Sequence, residues 1–291
     1  HAVCHDGFSF LFAFALLPDK KSASYRSVYN EIDIKSTTLC GRAVFSRDDA
    51  VVSCDFEKGV LKALDSFDCS VRCCHFHMNQ AIWRFVYKKG MGKRYNTDAD
   101  FRSRVRSLMI LPLFPCDKIV SVFESMRDLL PRDDNDITRV YNYFRDVWIQ
   151  SIPISCWCQY DTAFRTNNFA ESFHAALTRT IIQQHPEFNT FMHTVRSLIS
   201  DGLTKLHTQQ LNPKSNASRL LRRSAMLKAM VDNYFHGPPL ALPPEQLLTS
   251  LFDRLHEKDK SEAFFEASDD EMDDCSDVPM EIIDDAFEGT D

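Results

Sequence analysis

Residues 51–57, VVSCDFE, combine a short apolar run with two acids at its end, Asp55 and Glu57. The apolar residues predict a buried strand of an α/β fold, in which ligands bind at the carboxyl ends of strands. Asp55 is therefore a candidate metal ligand, because carboxylate oxygens on rigid elements hold hard divalent cations. Two alternatives stay open. Asp55 caps a helix that starts near Phe56, and Glu57 is either a rival ligand or a first-turn acid favoured by the helix dipole.

Strands and helices alternate on both sides of this stretch. Strands are predicted over residues 8–17, 49–55 and 69–76, and helices over about 24–34 and 79–89. Such alternation predicts an α/β layer architecture.

From residue 97 onwards the pattern is helical without strands. Residues 97–150 predict three helices, the third capped by Asp136, and we interpret this block as a helical insertion. Residues 201–256 predict a helical C-terminal region that ends in an amphipathic helix. Residues 257–291 have the composition of a disordered acidic tail.

The formal charge of −7 hides an uneven distribution of charge. Residues 261–291 contain thirteen acids and no Lys or Arg, so the remaining 260 residues carry 28 acids against 34 bases, a formal +6. No apolar run approaches the ~20 residues of a membrane span. Ten cysteines in clusters are typical of a reducing, intracellular setting rather than of a secreted disulfide framework. The start at His1 is compatible with an N-terminally incomplete chain.

Glu171 is the second candidate acid. Asn167 and Asn168 predict the cap of a helix in whose opening turn Glu171 lies. Phe169 and Phe173 place its carboxylate at the edge of an apolar surface, where a metal ion could compensate the cost of desolvation. A purely structural interpretation stays open, since the helix dipole favours an acid at this position.

The Cys-x-x-His spacing of Cys74 and His77 supplies half the ligands of a structural zinc site. Cys156 and Cys158 could complete a tetrahedron, although their spacing is poor for chelation. The simpler interpretation makes Cys74 a buried core thiol and His77 a polar residue at a strand end beside Asp55. In that position His77 could also contact a scissile phosphate.

Basic residues gather in two places and form candidate DNA contacts. They are Lys88, Lys89, Lys93 and Arg94 after the third strand, and Arg219, Arg222 and Arg223 on a late helix. The alternative is that each group is an ordinary solvated helix face. The sequence contains no helix-turn-helix or zinc-finger signature, so sequence-specific readout by this chain is not supported.

Four strings, in this order, give the chain its resemblance to the Mutator-like element (MULE) transposase family. They are AFALLPDK at residues 13–20 followed by Tyr25, CDFE at residues 54–57, CHFH at residues 74–77 followed by Gln80 and Arg84, and RTNNFAESFH at residues 165–174. The similarity runs from about residue 8 to about residue 200. It implies an RNase H-like mixed sheet over residues 1–200, with residues 97–150 inserted.

The resemblance also implies a DDE-type site, in which two Asp and one Glu bind two Mg²⁺ or Mn²⁺ ions that activate water and a 3′-hydroxyl. Asp55 then corresponds to the second acid and Glu171 to the third, with Cys74 and His77 as the family's Cys-x-x-His element. Transposon DNA as partner, nuclear localisation and a possible homo-oligomer follow from the same resemblance.

The first acid of that triad is the point at which this chain departs from the family. It is expected on a strand upstream of Pro18, separated from the Leu-Leu-Pro segment by a further strand. About seventeen residues are too few for two strands of ~5–6 residues each with their turns, and Asp6 lies too close to Pro18. We therefore expect a fragment or remnant that lacks the first catalytic strand and is inactive alone. The alternative is a domesticated nuclear DNA-binding or protein-interaction module with vestigial acids.

Overall fold

The part of the chain that the structure describes is mostly helical and contains one short pair of parallel strands. A computed structural model describes residues 2–3, 9–162, 165, 168–181, 186–211, 217–236 and 244–256. The strands in these ranges are β1 (Ala2–Val3), β2 (Ser9–Phe10), β3 (Val51–Cys54) and β4 (Ser70–Cys73). The first helices are α1 (Ser22–Cys40), α2 (Lys58–Leu64), α3 (His75–Lys88), α4 (Gly92–Thr97), α5 (Ala99–Ile110) and α6 (Ile119–Asp128). The remaining helices are α7 (Asn135–Phe144), α8 (Ile154–Trp157), α9 (Asn168–Thr180), α10 (Phe188–Leu211), α11 (Ala217–His236) and α12 (Pro244–His256).

The parallel pair β3–β4, joined by α2, forms the predicted strand–helix–strand unit. Its register runs from Val51 opposite Ser70 to Cys54 opposite Cys73, so both strands end at the same edge. The two strands predicted here are present but shorter than expected. The helix after β4 begins at His75 instead of near Asn79, because Cys74 already has the extended backbone of an N-cap residue. This part of the chain is α/β in a loose sense, with a sheet of two strands within the described ranges.

The strand predicted over residues 8–17 is mostly absent. Among the described residues of this stretch, Ser9–Phe10 pairs in antiparallel fashion with Ala2–Val3, and residues 11–17 have no regular structure. Phe12, Phe14 and Leu16 keep 36–55% of their surface exposed. Apolar composition alone predicted a buried strand here, but a strand also needs a neighbour for its backbone hydrogen bonds.

The block from residue 97 to 150 is helical, as predicted. Asp98 caps α5 by accepting hydrogen bonds from the backbone amides of Asp100 and Phe101. The cap of α7 is Asp134, whose carboxylate accepts from Ile137 N, so the assignment of Asp136 as the cap was wrong. Asp134 and Asp136 are both residue types that cap the N-terminus of a helix. The geometry of the turn determined that the carboxylate of Asp134 accepts from the free amide. The chain continues past α7 as a π-helical segment, Arg145–Ser151.

One large core joins these helices to the parallel strands. Phe85 of α3 stacks on Tyr143 of α7 with ring centroids 4.0 Å apart. Leu108 is fully buried on α5, a helix that contacts α3, α7 and α12. Leu227 of α11 and Leu251 of α12 belong to the same core. A smaller cluster under α1 contains Phe45, Leu64 and Phe67. The proposed division into residues 1–200 and 201–256 therefore stays a prediction, and residues 257–291 lie outside the described ranges.

None of the helices within the described ranges is long and apolar enough to cross a lipid bilayer.

Candidate functional site

Asp55 and Cys74 follow the ends of the two parallel strands and so lie side by side. Asp55 comes directly after β3, and Cys74 comes directly after β4. The backbone amide of Cys74 donates to the carbonyl oxygen of Cys54 at 2.8 Å, which extends the strand pairing to this edge. Ligands of α/β proteins bind at such an edge, because the strands hold the residues that follow them in fixed positions.

His77 completes a cluster of three potential metal ligands with these two residues. It lies in the first turn of α3, not at a strand end as predicted, because the helix begins at His75, four residues before the predicted start. Its Nδ1 atom lies 3.0 Å from Oδ1 of Asp55, and the ligand atoms of Asp55, Cys74 and His77 all lie within 4.8 Å of one another. Cys74 is fully buried, whereas the side chains of His77 and Asp55 are 16% and 44% exposed. The predicted proximity of His77 to Asp55 is therefore present.

The imidazole of His77 has an unusual electrostatic environment. Burial lowers its pKa, but Asp55 and then Cys74 outweigh burial, and together they raise the pKa to about 10. Its Nδ1 atom is buried and has no hydrogen-bond partner of suitable geometry among the described residues, despite the closeness of Asp55 Oδ1. The contact is thus mainly an ion pair, with the imidazole protonated at neutral pH when no cation is bound.

Glu57, two residues after Asp55, is hydrogen-bonded to Tyr25 of α1. It is the N-cap residue of α2, one position before the first turn in which it was predicted. Its carboxylate accepts a hydrogen bond from Tyr25 Oη at 2.6 Å, and burial together with this bond raises the pKa of Tyr25. Glu57 therefore connects α1 to the end of β3, which makes it a weaker candidate for metal binding than Asp55.

Arg165, six residues before Glu171, is bonded to the helix that carries His77. The backbone amide of His75, in the first turn of α3, donates to the carbonyl oxygen of Arg165 at 2.9 Å. Glu171 lies six residues later, in the opening turn of α9 as predicted. Its side chain lies outside the described residues, so a shared site for Asp55 and Glu171 stays a prediction.

Arg165 carries a buried guanidinium that the sequence did not single out as a site residue. One of its terminal nitrogens donates to Ser224 Oγ of α11 at 2.9 Å, whereas its Nε has no hydrogen-bond partner in the described part of the chain. Burial, and then the neighbouring charge of Arg223, lower the pKa of Arg165 to about 10. The only sequence signal was its position at the start of the RTNN string.

The predicted DNA contacts differ in how accessible they are. Lys88, Lys89 and Lys93 are exposed at the end of α3 and on α4. Arg94 instead forms ion pairs with the carboxylates of Asp98, Asp134 and Asp136.

On α11, Arg222 is exposed, whereas Arg223 donates to the backbone carbonyls of Arg254 and Leu255 in α12. The side chain of Arg219 lies outside the described residues. Contact of any of these residues with DNA stays a prediction.

Cys156 and Cys158 do not join the cluster around Asp55. Cys158 is buried and donates to the carbonyl oxygen of Phe114, and Cys156 is half-buried within α8. Among the described residues the one group of His, Cys and acidic side chains spaced for a metal ion consists of Asp55, Cys74 and His77. A closed site that also contains Cys156 and Cys158 is thus not formed.

Comparison of the chain with protein-family models, with curated proteins and with solved structures found no match. The resemblance to MULE transposases therefore depends on the quoted strings and their order alone.

Proposed function

We propose that this chain derives from the catalytic domain of a DDE-type DNA transposase and retains two of its three acids, Asp55 and Glu171. The observation that carries the proposal is the backbone hydrogen bond between His75 and Arg165, 2.9 Å long. It joins two of the strings on which the resemblance rests, although they lie ninety positions apart in the sequence. In this proposal the fold is a partial RNase H-like fold and the protein acts on DNA in the nucleus.

The reach of the chain supports a common site for the two acids. Arg165 is anchored beside the start of α3, two residues from His77. From there to Glu171 the chain is six residues long and its last part is helical, so the two Cα atoms are at most about 15 Å apart whatever the conformation of the linking residues. Both carboxylates can therefore face one pocket, as a pair of ions about 4 Å apart requires.

Asp55 and Glu171 would hold Mg²⁺ or Mn²⁺, since carboxylates are the ligands that these hard cations prefer. The ions would supply an activated oxygen nucleophile and stabilise charge on the phosphodiester. His77 is placed beside Asp55 and could contact the scissile phosphate. With two of three acids, the 291-residue polypeptide by itself should not cleave DNA.

The exposed lysines of α3 and α4 support the choice of DNA as partner. Lys88, Lys89 and Lys93 lie near the site in sequence and are accessible to solvent. Contacts between such residues and phosphates bind DNA without sequence preference and weaken as the salt concentration rises.

One observation favours the second candidate, a domesticated DNA-binding or protein-interaction module with vestigial acids. Nδ1 of His77 lies 3.0 Å from Asp55, so the carboxylate that a catalytic ion needs is already paired with a cation. If this ion pair is the functional state, Asp55 no longer binds Mg²⁺ or Mn²⁺.

Mn²⁺ binding to wild type and three variants separates the two candidates. Electron paramagnetic resonance of free Mn²⁺ should reveal weak binding to the wild type that is lost in Asp55→Asn and in Glu171→Gln. Asp117→Asn, which changes an exposed carboxylate outside the site, is the matched control and should bind like the wild type. Equal binding by all four proteins would contradict a transposase-derived metal site and favour the module.

A further inference from the structure

We propose that Asp55, Cys74 and His77 form a binding site for a borderline-soft transition-metal ion such as Zn²⁺, which shares Asp55 with the Asp55–Glu171 site but has Cys74 and His77 as its other ligands. The proposal rests on the geometry of these three side chains and does not depend on the proposed function. It concerns metal binding only and assigns no reaction to the ion.

The spacing of the ligand atoms fits one ion. Zn²⁺ binds nitrogen and oxygen at about 2.0 Å and sulfur at about 2.3 Å, so tetrahedral ligands lie about 3.3–3.5 Å apart. Oδ1 of Asp55 and Nδ1 of His77 are already 3.0 Å apart, and the largest separation within the group is at most 4.8 Å. Rotation of the partly exposed side chains of Asp55 and His77 would bring their ligand atoms to the tetrahedral spacing from Cys74 Sγ.

The elements that carry the ligands hold them together. Cys74 is the N-cap of α3 and His77 lies three residues later, so both side chains project from the same end of one helix. Asp55 is fixed opposite them by the pairing of β3 with β4. The positive end of the helix dipole favours an anionic ligand such as a Cys74 thiolate.

The chemistry of the ligands selects the ion. A thiolate and an imidazole favour zinc and similar metals, whereas Mg²⁺ takes oxygen ligands almost exclusively. A thiolate, a carboxylate and a neutral imidazole carry two negative charges, which balance a divalent cation in a largely buried place. Binding would displace the protons of the Cys74 thiol and of His77 Nδ1 to the buffer. Three protein ligands leave a fourth position for water.

The geometry around the buried Nδ1 atom of His77 is a further indication of a ligand. Its 3.0 Å contact with Oδ1 of Asp55 is an ion pair that lacks hydrogen-bond geometry among the described residues, although buried polar nitrogens in folded proteins are almost always hydrogen-bonded. A metal ion bound between this nitrogen and the Asp55 carboxylate would satisfy it.

Titration of the full chain with Co²⁺, after removal of metals by a chelator, tests the site. Co²⁺ replaces Zn²⁺ in such sites and gives a near-ultraviolet charge-transfer band only when a thiolate is a ligand. We expect one Co²⁺ per chain, displaced by Zn²⁺ and not by Mg²⁺. His77→Ala and Cys74→Ser should each weaken binding by at least about tenfold, since the loss of even an outer-shell partner costs 10–100-fold.

The controls separate this proposal from the proposed function. Cys156→Ser changes a half-buried thiol outside the cluster and should keep the wild-type band. Glu171→Gln should lose Mn²⁺ binding but keep Co²⁺ binding. His77→Ala should keep Mn²⁺ binding but lose Co²⁺ binding, and Asp55→Asn should lose the binding of both ions. Helical circular dichroism checks the folding of each variant, above all of Cys74→Ser, because Cys74 is fully buried. If Cys74→Ser is unfolded, the variants of the partly exposed Asp55 and His77 decide. Absence of Co²⁺ binding, or binding unchanged in His77→Ala and Asp55→Asn, would overturn the proposal.

Discussion

Asp33 shows how much a single buried carboxylate can organise in this molecule. It is the one buried residue of α1, and it accepts hydrogen bonds from the backbone amides of Val44, Phe45 and Ser46 at 2.7–2.8 Å. Burial raises its pKa, but these bonds and one from the Ser46 side chain outweigh burial and hold the pKa below its usual value. The carboxylate thus attaches the loop before β3 to α1 and places Phe45 in the small core.

Replacement of Asp33 by Ala should lower the free energy of unfolding by about 2–4 kcal/mol at pH 7, because it leaves three backbone amides without a partner. Urea denaturation measures this change. Asp48→Ala, at an exposed position of the same loop, is the control and should stay within about 0.5 kcal/mol of the wild type.

The stabilising effect of Asp33 should depend on pH. The pKa of Asp33 is lower in the folded than in the unfolded state, so its contribution to the free energy of unfolding is complete above the ordinary value of 3.8. The difference between wild type and Asp33→Ala should therefore shrink as the pH falls below that value, and a difference that does not change with pH would contradict the charged interaction.

At the scale of elements, the close approach of α1 and α2 sets the position of the strand end that carries Asp55. The two helices pack against each other, and Gly59 of α2 lies against the segment that enters α1. A Cβ atom at Gly59 would lie 2.2 Å from the carbonyl oxygen of Lys20 and 3.2 Å from the ring of Tyr25. The hydroxyl of Tyr25 donates to Glu57, two residues after Asp55. The close approach of Gly59 to Tyr25 therefore helps to fix the strand end that carries Asp55.

Substitution of Gly59 by Ala should destabilise the fold by about 1–3 kcal/mol, because the new methyl group overlaps a backbone atom that cannot rotate away. Thermal or urea unfolding gives the value. Gly202 offers a matched control within a helix, since a Cβ atom there meets nothing within 4 Å. Gly202→Ala should stabilise the protein by up to about 1 kcal/mol through helix propensity. If both variants gained stability, the tight contact between α2 and the start of α1 would be refuted.

At the scale of the whole molecule, Arg94 joins three helices of the block between the two candidate acids. Its guanidinium on α4 lies 2.6 Å from Asp134, the cap of α7, and 3.1 Å from Asp98, the cap of α5. Asp136 lies 3.3 Å away, and the ring of Phe101 lies 4.6 Å below the guanidinium carbon. The three carboxylates raise the pKa of Arg94 and would repel one another without it.

Arg94→Gln should therefore cost about 2 kcal/mol of folding free energy, in line with hydrogen bonds to charged groups. Affinity for a DNA duplex, measured by fluorescence anisotropy under conditions in which both proteins are folded, should change little. Lys93→Gln, one residue earlier and exposed, should show the opposite pattern, with unchanged stability and weaker DNA binding at low salt. Weaker DNA binding by Arg94→Gln at full stability would instead make Arg94 a DNA contact.

Local features of the sequence were sufficient for much of the helical part and for the position of Asp55. Helical spacing predicted the block from residue 97 to 150, and the apolar run before Asp55 predicted β3, because both patterns depend on neighbours within a few residues. Where a choice depended on turn geometry, the sequence was less informative. It assigned the cap of α7 to Asp136, whereas the cap is Asp134, and it started α3 four residues late.

The sequence by itself determined the alternation of strands and helices from β3 to α3, the helical run that follows, and the residue types of the candidate site. Only the tertiary structure decided that His77 lies 3.0 Å from Asp55 and that Arg165 is bonded to the start of α3. It also decided that residues 11–17 form no strand within the described ranges. The physical reason is that periodicity reports which face of a segment is buried, whereas the partner of that face, and of each backbone amide, is set by contacts between residues far apart in the chain.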